Sequence, residues 1–194
     1  MTGDRVSAAF AAVPRTWFLP RSQRRRASYD GPLDIGHGQT NSQPRTVEAM
    51  LRLLDVREGD RVLDVGSGSA WTTALLAHLT GPRGTVLGLE IEPALVEVGR
   101  GNLAQGAWPW ARIEPSRPHV YGDPAGAPYD RILVSAEARE LPGELVDQLA
   151  TDGRLVVPVA GVMLLVVMGP GGQPAVTRHG YYRFVPLRAS LGER

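Results

Sequence analysis

Val62-Leu63-Asp64-Val65-Gly66-Ser67-Gly68-Ser69-Ala70-Trp71 joins a short β-rich run to a helical one, and its reading decides the fold. Arg61 to Val65 reads as a strand. Trp71 to Leu79 reads as a helix with Trp71, Leu75, Leu76 and Leu79 on one side. Glycines at a strand end let the backbone turn tightly and approach a ligand. The helix that follows presents unpaired N–H groups and a positive dipole end, which suit a carboxylate as well as a phosphate. A bare Gly-x-Gly turn also occurs with no ligand at all.

Two acids narrow the ligand. Asp64 ends the first strand, where its carboxylate can accept from a ligand ammonium. Glu90 ends a second strand, Thr85 to Glu90, 24 residues after Gly66. An acid at that tip accepts two hydrogen bonds from a ribose diol. Glu92 is the rival for that role, and a plain surface acid is the alternative. S-adenosylmethionine and NAD are the two ligands to weigh. For NAD, the third glycine of the dinucleotide pattern would fall at Trp71, a bulky indole, and Asp64 would stand near a pyrophosphate. Both points favour the sulfonium ligand. Gly122-Asp123 lies after a third strand near Ala111 to Glu114, in place to meet an adenine amine; before Pro124 it is otherwise a simple turn.

Outward from this unit, strands and helices alternate. A helix follows Pro93 to about Ala104, Asp130 to Ser135 is a fourth strand, and Leu145, Val146 and Leu149 lie on the next helix. Arg154 to Val159, Val162 to Met168 and Tyr181 to Leu187 read as final strands without helices between them. Alternation implies a parallel sheet covered on both faces, and the short late connections require antiparallel pairing at one edge. Upstream, Val6 to Val13 reads as a short helix ended by Pro14. Residues 20 to 45 read as an ordered loop, and Val47, Met50, Leu51 and Leu54 form one face of a helix over 46 to 54. The 194 residues suit one domain, 1–194, with 1–54 as a helical and loop extension.

Composition removes several function classes. Without cysteine there is no disulfide, thiolate nucleophile or Cys-ligated zinc. The four histidines form no close pair, so no metal site is expected. Lys plus Arg is 21 against 20 acids, a formal charge of +1, so no broad field favours nucleic acid. Arg21 and Arg24 to Arg26 are a local exception, read as a solvated surface or as a peptide contact; Arg45 is a second peptide-contact candidate. The N-terminus lacks a secretory pattern. Leu155 to Met168, interrupted by Pro158 and Gly161, is too short to span a bilayer. A cytoplasmic location is expected.

Further blocks carry a resemblance: Val13-Pro14-Arg15 with Phe18, Tyr29-Asp30 with Pro32-Leu33, and Ile35-Gly36-His37-Gly38-Gln39-Thr40-Asn41-Ser42-Gln43-Pro44. Asp64 to Ser69, Gly122-Asp123, Ala127 to Ile132, Gln148-Leu149, Gly153 to Leu155, Pro158-Val159 and Phe184 to Leu187 continue it. From about Val13 to Leu187 the sequence resembles the protein-L-isoaspartate O-methyltransferase family. The resemblance implies an α/β methyltransferase-like Rossmann sandwich, with a seven-stranded mixed sheet, an antiparallel edge of altered order, and an N-terminal substrate-side extension. It implies S-adenosyl-L-methionine held by Asp64, Gly66, Ser67, Gly68, Ser69, Glu90, Gly122 and Asp123. It implies methyl transfer to the carboxylate of L-isoaspartyl residues in damaged proteins or peptides, with Thr40 and Ser42 as catalytic candidates. Ser42 would donate to the substrate carboxylate, or else cap the helix that follows. Ile35, His37, Gln39, Asn41 and Glu137 are the substrate-binding candidates. The expected partner is a peptide or protein, with no nucleic acid or membrane, and the expected state is a monomer.

The chain departs from the family pattern at several places. Ala70 replaces a glycine, its methyl being expected to fit a helical first turn. Asn41 stands where an apolar residue is common. Ser135 to Pro142 carries Glu137 and Arg139 in a motif of small residues, and Val159 to Met163 lacks the usual turn. These departures allow two alternatives: an aspartate-directed peptide-tailoring methyltransferase, or a non-catalytic binding module on the same fold.

Overall fold

A computed structural model describes residues 4–191 of the chain. The ends of the 1–194 domain assignment, residues 1–3 and 192–194, lie outside the described residues. Strands β3 (Arg61–Val65), β4 (Thr85–Glu90), β5 (Ala111–Pro115), β6 (Tyr129–Val134), β7 (Leu149–Val159), β8 (Val162–Met168) and β9 (Pro174–Tyr181) form one sheet in the order β5-β4-β3-β6-β7-β8-β9. The first five are parallel. β8 and β9 are added antiparallel, each beside its predecessor in the chain. This is the expected mixed sheet with an antiparallel edge. The strand order reverses at β3, so the crevice at its carboxyl end is where an open α/β sheet takes a ligand.

Helices α1 (Arg5–Ala12), α2 (Pro44–Leu54), α3 (Trp71–Thr80), α4 (Pro93–Leu103) and α5 (Gly143–Val146) complete the main elements. The predicted stripe of α2 is buried at Val47, Met50, Leu51 and Leu54. α3 differs from its predicted one-sided stripe: every residue except His78 is buried. It packs on β3, β4 and β5, and α1 covers it from outside. Phe10 of α1 meets the Trp71 ring edge-on at 5.5 Å, and Trp71 Nε1 donates to the Val13 carbonyl at 3.2 Å. The N-terminal extension is thus anchored on the residue that opens α3.

Three local expectations change. Residues 33 to 41, read as loop, form a hairpin of β1 (Leu33–Gly36) and β2 (Gln39–Asn41). Its strands are too short, and its Gly36-His37-Gly38 tip too rich in positive φ, to give a period-2 pattern. Leu149 begins β7 instead of lying on a helix. α5 is a single turn, and the Gln148 side chain is spent on the Asp123 amide and on the Tyr121 and Glu144 carbonyls. The last strand is Pro174–Tyr181, not Tyr181 to Leu187, because the Gly169–Gly172 turn starts the return of the chain earlier. Residues 182 to 189 instead run extended across the carboxyl ends of the strands. They are tied down by Tyr182 to Gly161, by paired bonds between Glu137 and Val185 and Leu187, and by His119 to Ala189.

Candidate active site

The turn after β3 is fastened to the neighbouring strand. The Gly66 and Ser67 amides donate to the Leu89 carbonyl at 2.9 and 3.0 Å. The Gly68 amide donates to Glu90 Oε2 at 2.8 Å, and the Glu92 amide to Oε1 at 2.9 Å. These bonds hold the Glu90 carboxylate while each oxygen keeps a second lone pair for a ligand hydroxyl. Gly66 (φ +79°) and Gly68 (φ +54°) occupy the left-handed region, and a Cβ at Gly68 would meet Ile35 Cδ1 at 3.3 Å. With the Gly66, Ser67, Gly68 and Ala70 amides engaged, the first-turn amides of α3, which no helix carbonyl can reach, are the candidates for a ligand carboxylate.

Asp64 is fully buried beneath the turn, and both Thr72 Oγ1 and Thr73 Oγ1 donate to its Oδ2 at 2.7 Å. Its Oδ1 accepts nothing from the protein, and the buried hydroxyls of Ser67 and Ser135 are also unpartnered. Burial, aided by the Glu90 charge and opposed by the two threonines, raises the Asp64 carboxyl to about 6. A buried acid with a free oxygen under a glycine turn fits a cationic ligand, since an isolated buried carboxylate is otherwise unfavourable. The residues present therefore fit an adenosyl amino acid: Glu90 for the ribose and the turn for close approach, while Asp64, fully buried and lining none of the cavities, places its negative charge beneath the turn.

The cavity beside the turn is lined by Gln39, Thr40, Gly66, Gly68, Glu90, Gly122 and Ser135, with Val185 to Ala189 as its far wall. It encloses about 670 Å³ including its mouth. A recess among Asn41, Ser42, Gly66 to Ser69 and Trp71 adjoins it. A more apolar groove lies on the other side, between Ser42, Gln43, Arg45 and Thr46 and the segment Tyr181 to Val185. Thr40 and Ser135 line all three spaces. A larger hollow, about 1530 Å³, lies near Glu137 and α5. It lacks the glycine turn and the orphaned buried oxygens, so chemistry, not size, selects the site.

Several expected site residues are elsewhere. Glu137 lines the larger hollow and not the groove, because its backbone bridges to Val185 and Leu187; Arg139 goes with it. Asp123 is held by Tyr129 Oη at 2.8 Å and does not line the cofactor cavity, although Gly122 does. His37, at the hairpin tip, faces Glu92 at 3.7 Å. Gln39 lines the cofactor cavity, not the groove, and Ile35 packs on Gly68. Asn41 is buried between Arg15 and Ser69 and so is not exposed to a peptide. Ala70 is no helical first-turn residue: it precedes α3 with φ +74° and ψ 17°, a left-handed conformation.

Sequence reasoning missed Ser135 and the 182 to 189 segment. Ser135 follows β6, the strand beside β3, so its place at the carboxyl edge was the available signal. The late segment carried Phe184 to Leu187 as a block of the resemblance, but that block was read as a strand and not as a wall of the site.

A sequence model of the protein-L-isoaspartate(D-aspartate) O-methyltransferase family matches residues 1–191. The chain belongs to this family. The protein-L-isoaspartate O-methyltransferase of Methanocella arvoryzae is 42% identical over 182 residues, covering 93% of this chain and 96% of the relative. That of Aeropyrum pernix is 41% identical over 198 residues, covering all of this chain and 76% of the relative. A crystal structure assigned to a Plasmodium falciparum protein-L-isoaspartate O-methyltransferase, in complex with S-adenosyl-L-homocysteine, superposes with a TM-score of 0.86 at 27% identity. It covers 98% of this chain and 93% of that one.

Proposed function

We propose that this methyltransferase esterifies the free carboxylate of L-isoaspartyl residues in proteins or peptides. One observation carries the reading: Thr40 and Ser135 line the cofactor cavity, the recess and the groove together, so donor and acceptor share a wall. When bound, S-adenosylmethionine supplies a methyl group on a positively charged sulfur. Glu90 would hold the donor by its ribose, with the buried Asp64 charge beneath the turn favouring its cationic end.

The acceptor carboxylate has a pKa near 4 and is already ionised at neutral pH, so no general base is required. The protein's work is to align that carboxylate and replace its water. Ser42 and Thr40 face the groove with hydroxyl donors, and the unpartnered Ser135 hydroxyl sits where the spaces meet. An acceptor oxygen is thus offered donors in place of solvent, which limits the energy of desolvating it. The ester product is prone to ring closure by the neighbouring backbone nitrogen, with loss of methanol and hydrolysis of the succinimide.

Glu137 and Arg139, whose charges suggested an aspartate-directed relative, lie away from the groove, which removes that argument. The formal charge of +1 supports peptide over nucleic acid as the partner. Among the described residues no helix is long and apolar enough to cross a membrane. We take the protein as a single-domain, monomeric, cytoplasmic enzyme. The test supplies methyl-labelled S-adenosylmethionine with matched isoaspartyl and aspartyl peptides. Labelled methanol released from the isoaspartyl peptide alone is the expected result; label retained stably on the aspartyl peptide overturns the reading.

A further inference from the structure

We propose that Asn41 is a positioning residue that couples the cofactor turn to the acceptor side of the site. The inference rests on the functional reading above and adds a role that an apolar side chain at this position cannot play. Asn41 ends β2 with 5% of its surface exposed, and its neighbour Arg15 is equally enclosed at 6%. Arg15 Nε donates to Asn41 Oδ1 at 2.7 Å. Arginine only donates, so the amide orientation is fixed and its nitrogen must point away. That nitrogen donates to Ser69 Oγ at 3.3 Å.

The same guanidinium grips the acceptor side. Arg15 Nη2 donates to the carbonyls of Gly31, Asn41 and Ser42 at 2.9, 3.0 and 2.9 Å, and Nη1 to that of Tyr29 at 2.8 Å. Ser42 is therefore held from behind by Arg15, and Arg15 is tied through one amide to the turn that receives the donor. Ser69 is itself braced, since Asn102 Nδ2 donates to its carbonyl at 3.1 Å. The turn does not need Asn41 for its shape: Leu89 and Glu90 already hold Gly66, Ser67 and Gly68. The Asn41–Ser69 bond instead fixes where that turn stands relative to Ser42, the relation on which methyl transfer depends. An apolar side chain would leave Arg15 Nε without this acceptor and the two halves of the site without this tie.

The test reads coupling without requiring turnover. In the native protein, saturating S-adenosyl-L-homocysteine should slow amide exchange at residues 41–42, which do not line the cofactor cavity. Asn41→Leu abolishes that slowing while the ligand Kd stays within about threefold. Ser69→Ala, which leaves the Arg15–Asn41 bond intact and is the milder change, does the same at saturating ligand. With isoaspartyl peptide, each variant lowers kcat about tenfold, and the double variant loses no more than either single one. Persistence of the slowing in Ser69→Ala, or independent, multiplying losses in the double variant, overturns the proposal. Absence of turnover in the native protein sinks the functional reading alone, because the exchange measurement still decides the coupling.

Discussion

The Gly68 amide and the Glu90 carboxylate are hydrogen-bonded at 2.8 Å, which joins the turn after β3 to the tip of β4. Glu90 therefore braces the turn, and in the proposed reading it also receives a ribose. Glu90→Ala should weaken S-adenosylmethionine binding by about tenfold to a hundredfold, since bonds to a charged group contribute roughly 1.5–3 kcal/mol. Calorimetry checks this, and an unchanged Kd would place the ribose elsewhere.

Asp64 gives the site a pH signature. Its folded carboxyl is raised from 3.8 to about 6, mainly by burial. The folded protein without ligand thus holds this proton more tightly than the unfolded chain. Stability from this group is present below pH 3.8 and is lost as pH rises through about 6. The change amounts to about 3 kcal/mol in order of magnitude. Melting temperatures across that window should show the slope, and Asp64→Asn should flatten it. Ligand affinity should run the other way. An ammonium group favours ionised Asp64, so binding should weaken as pH falls below about 6.

Ser42 stands in both the recess and the groove. Ser42→Ala should slow turnover by about tenfold to more than a hundredfold, the value of one donor to a charged group in the transition state. Cofactor affinity should hardly change. A helix-capping role would instead appear as a lower melting temperature with kcat preserved; no side-chain bond caps α2.

Ala70 carries backbone strain at φ +74°. A left-handed conformation costs a non-glycine residue roughly 1–2 kcal/mol. Its buried methyl, which would lie 3.5 Å from a Cβ placed at Gly99, returns about 0.8 kcal/mol. The extra unfolded-chain entropy of glycine, about 0.4–1 kcal/mol, nearly cancels the remainder, so Ala70→Gly should leave the unfolding free energy within about 1 kcal/mol of the native value. Ala70→Val should lower it well beyond that, because a β-branched side chain tolerates this conformation worst. Urea denaturation checks both.

The periodic elements were legible in the sequence for a physical reason. α2 buries a one-sided face and β3 to β6 sit between glycine and proline breaks, so local pattern and tertiary role agree. Glu90 and the Gly66 to Ser69 turn were legible because their spacing is set by the strand-turn-helix unit. The Tyr129 bond to Asp123 was not legible, because its partner comes from another strand. Which hollow Glu137 faces was not legible, because backbone bonds to Val185 and Leu187 decide it. Asn41 was noticed as a departure, but its role depends on Arg15, 26 residues earlier, and no spacing rule reveals that pair.

The stretch from Tyr181 to Ala189 serves as a wall of the acceptor groove at its start and of the cofactor cavity at its end. A single protease cut within it would therefore disable both functions in one event, without removing any strand from the center of the sheet. Ligand-dependent resistance to such a cut would offer a simple gel assay of site closure.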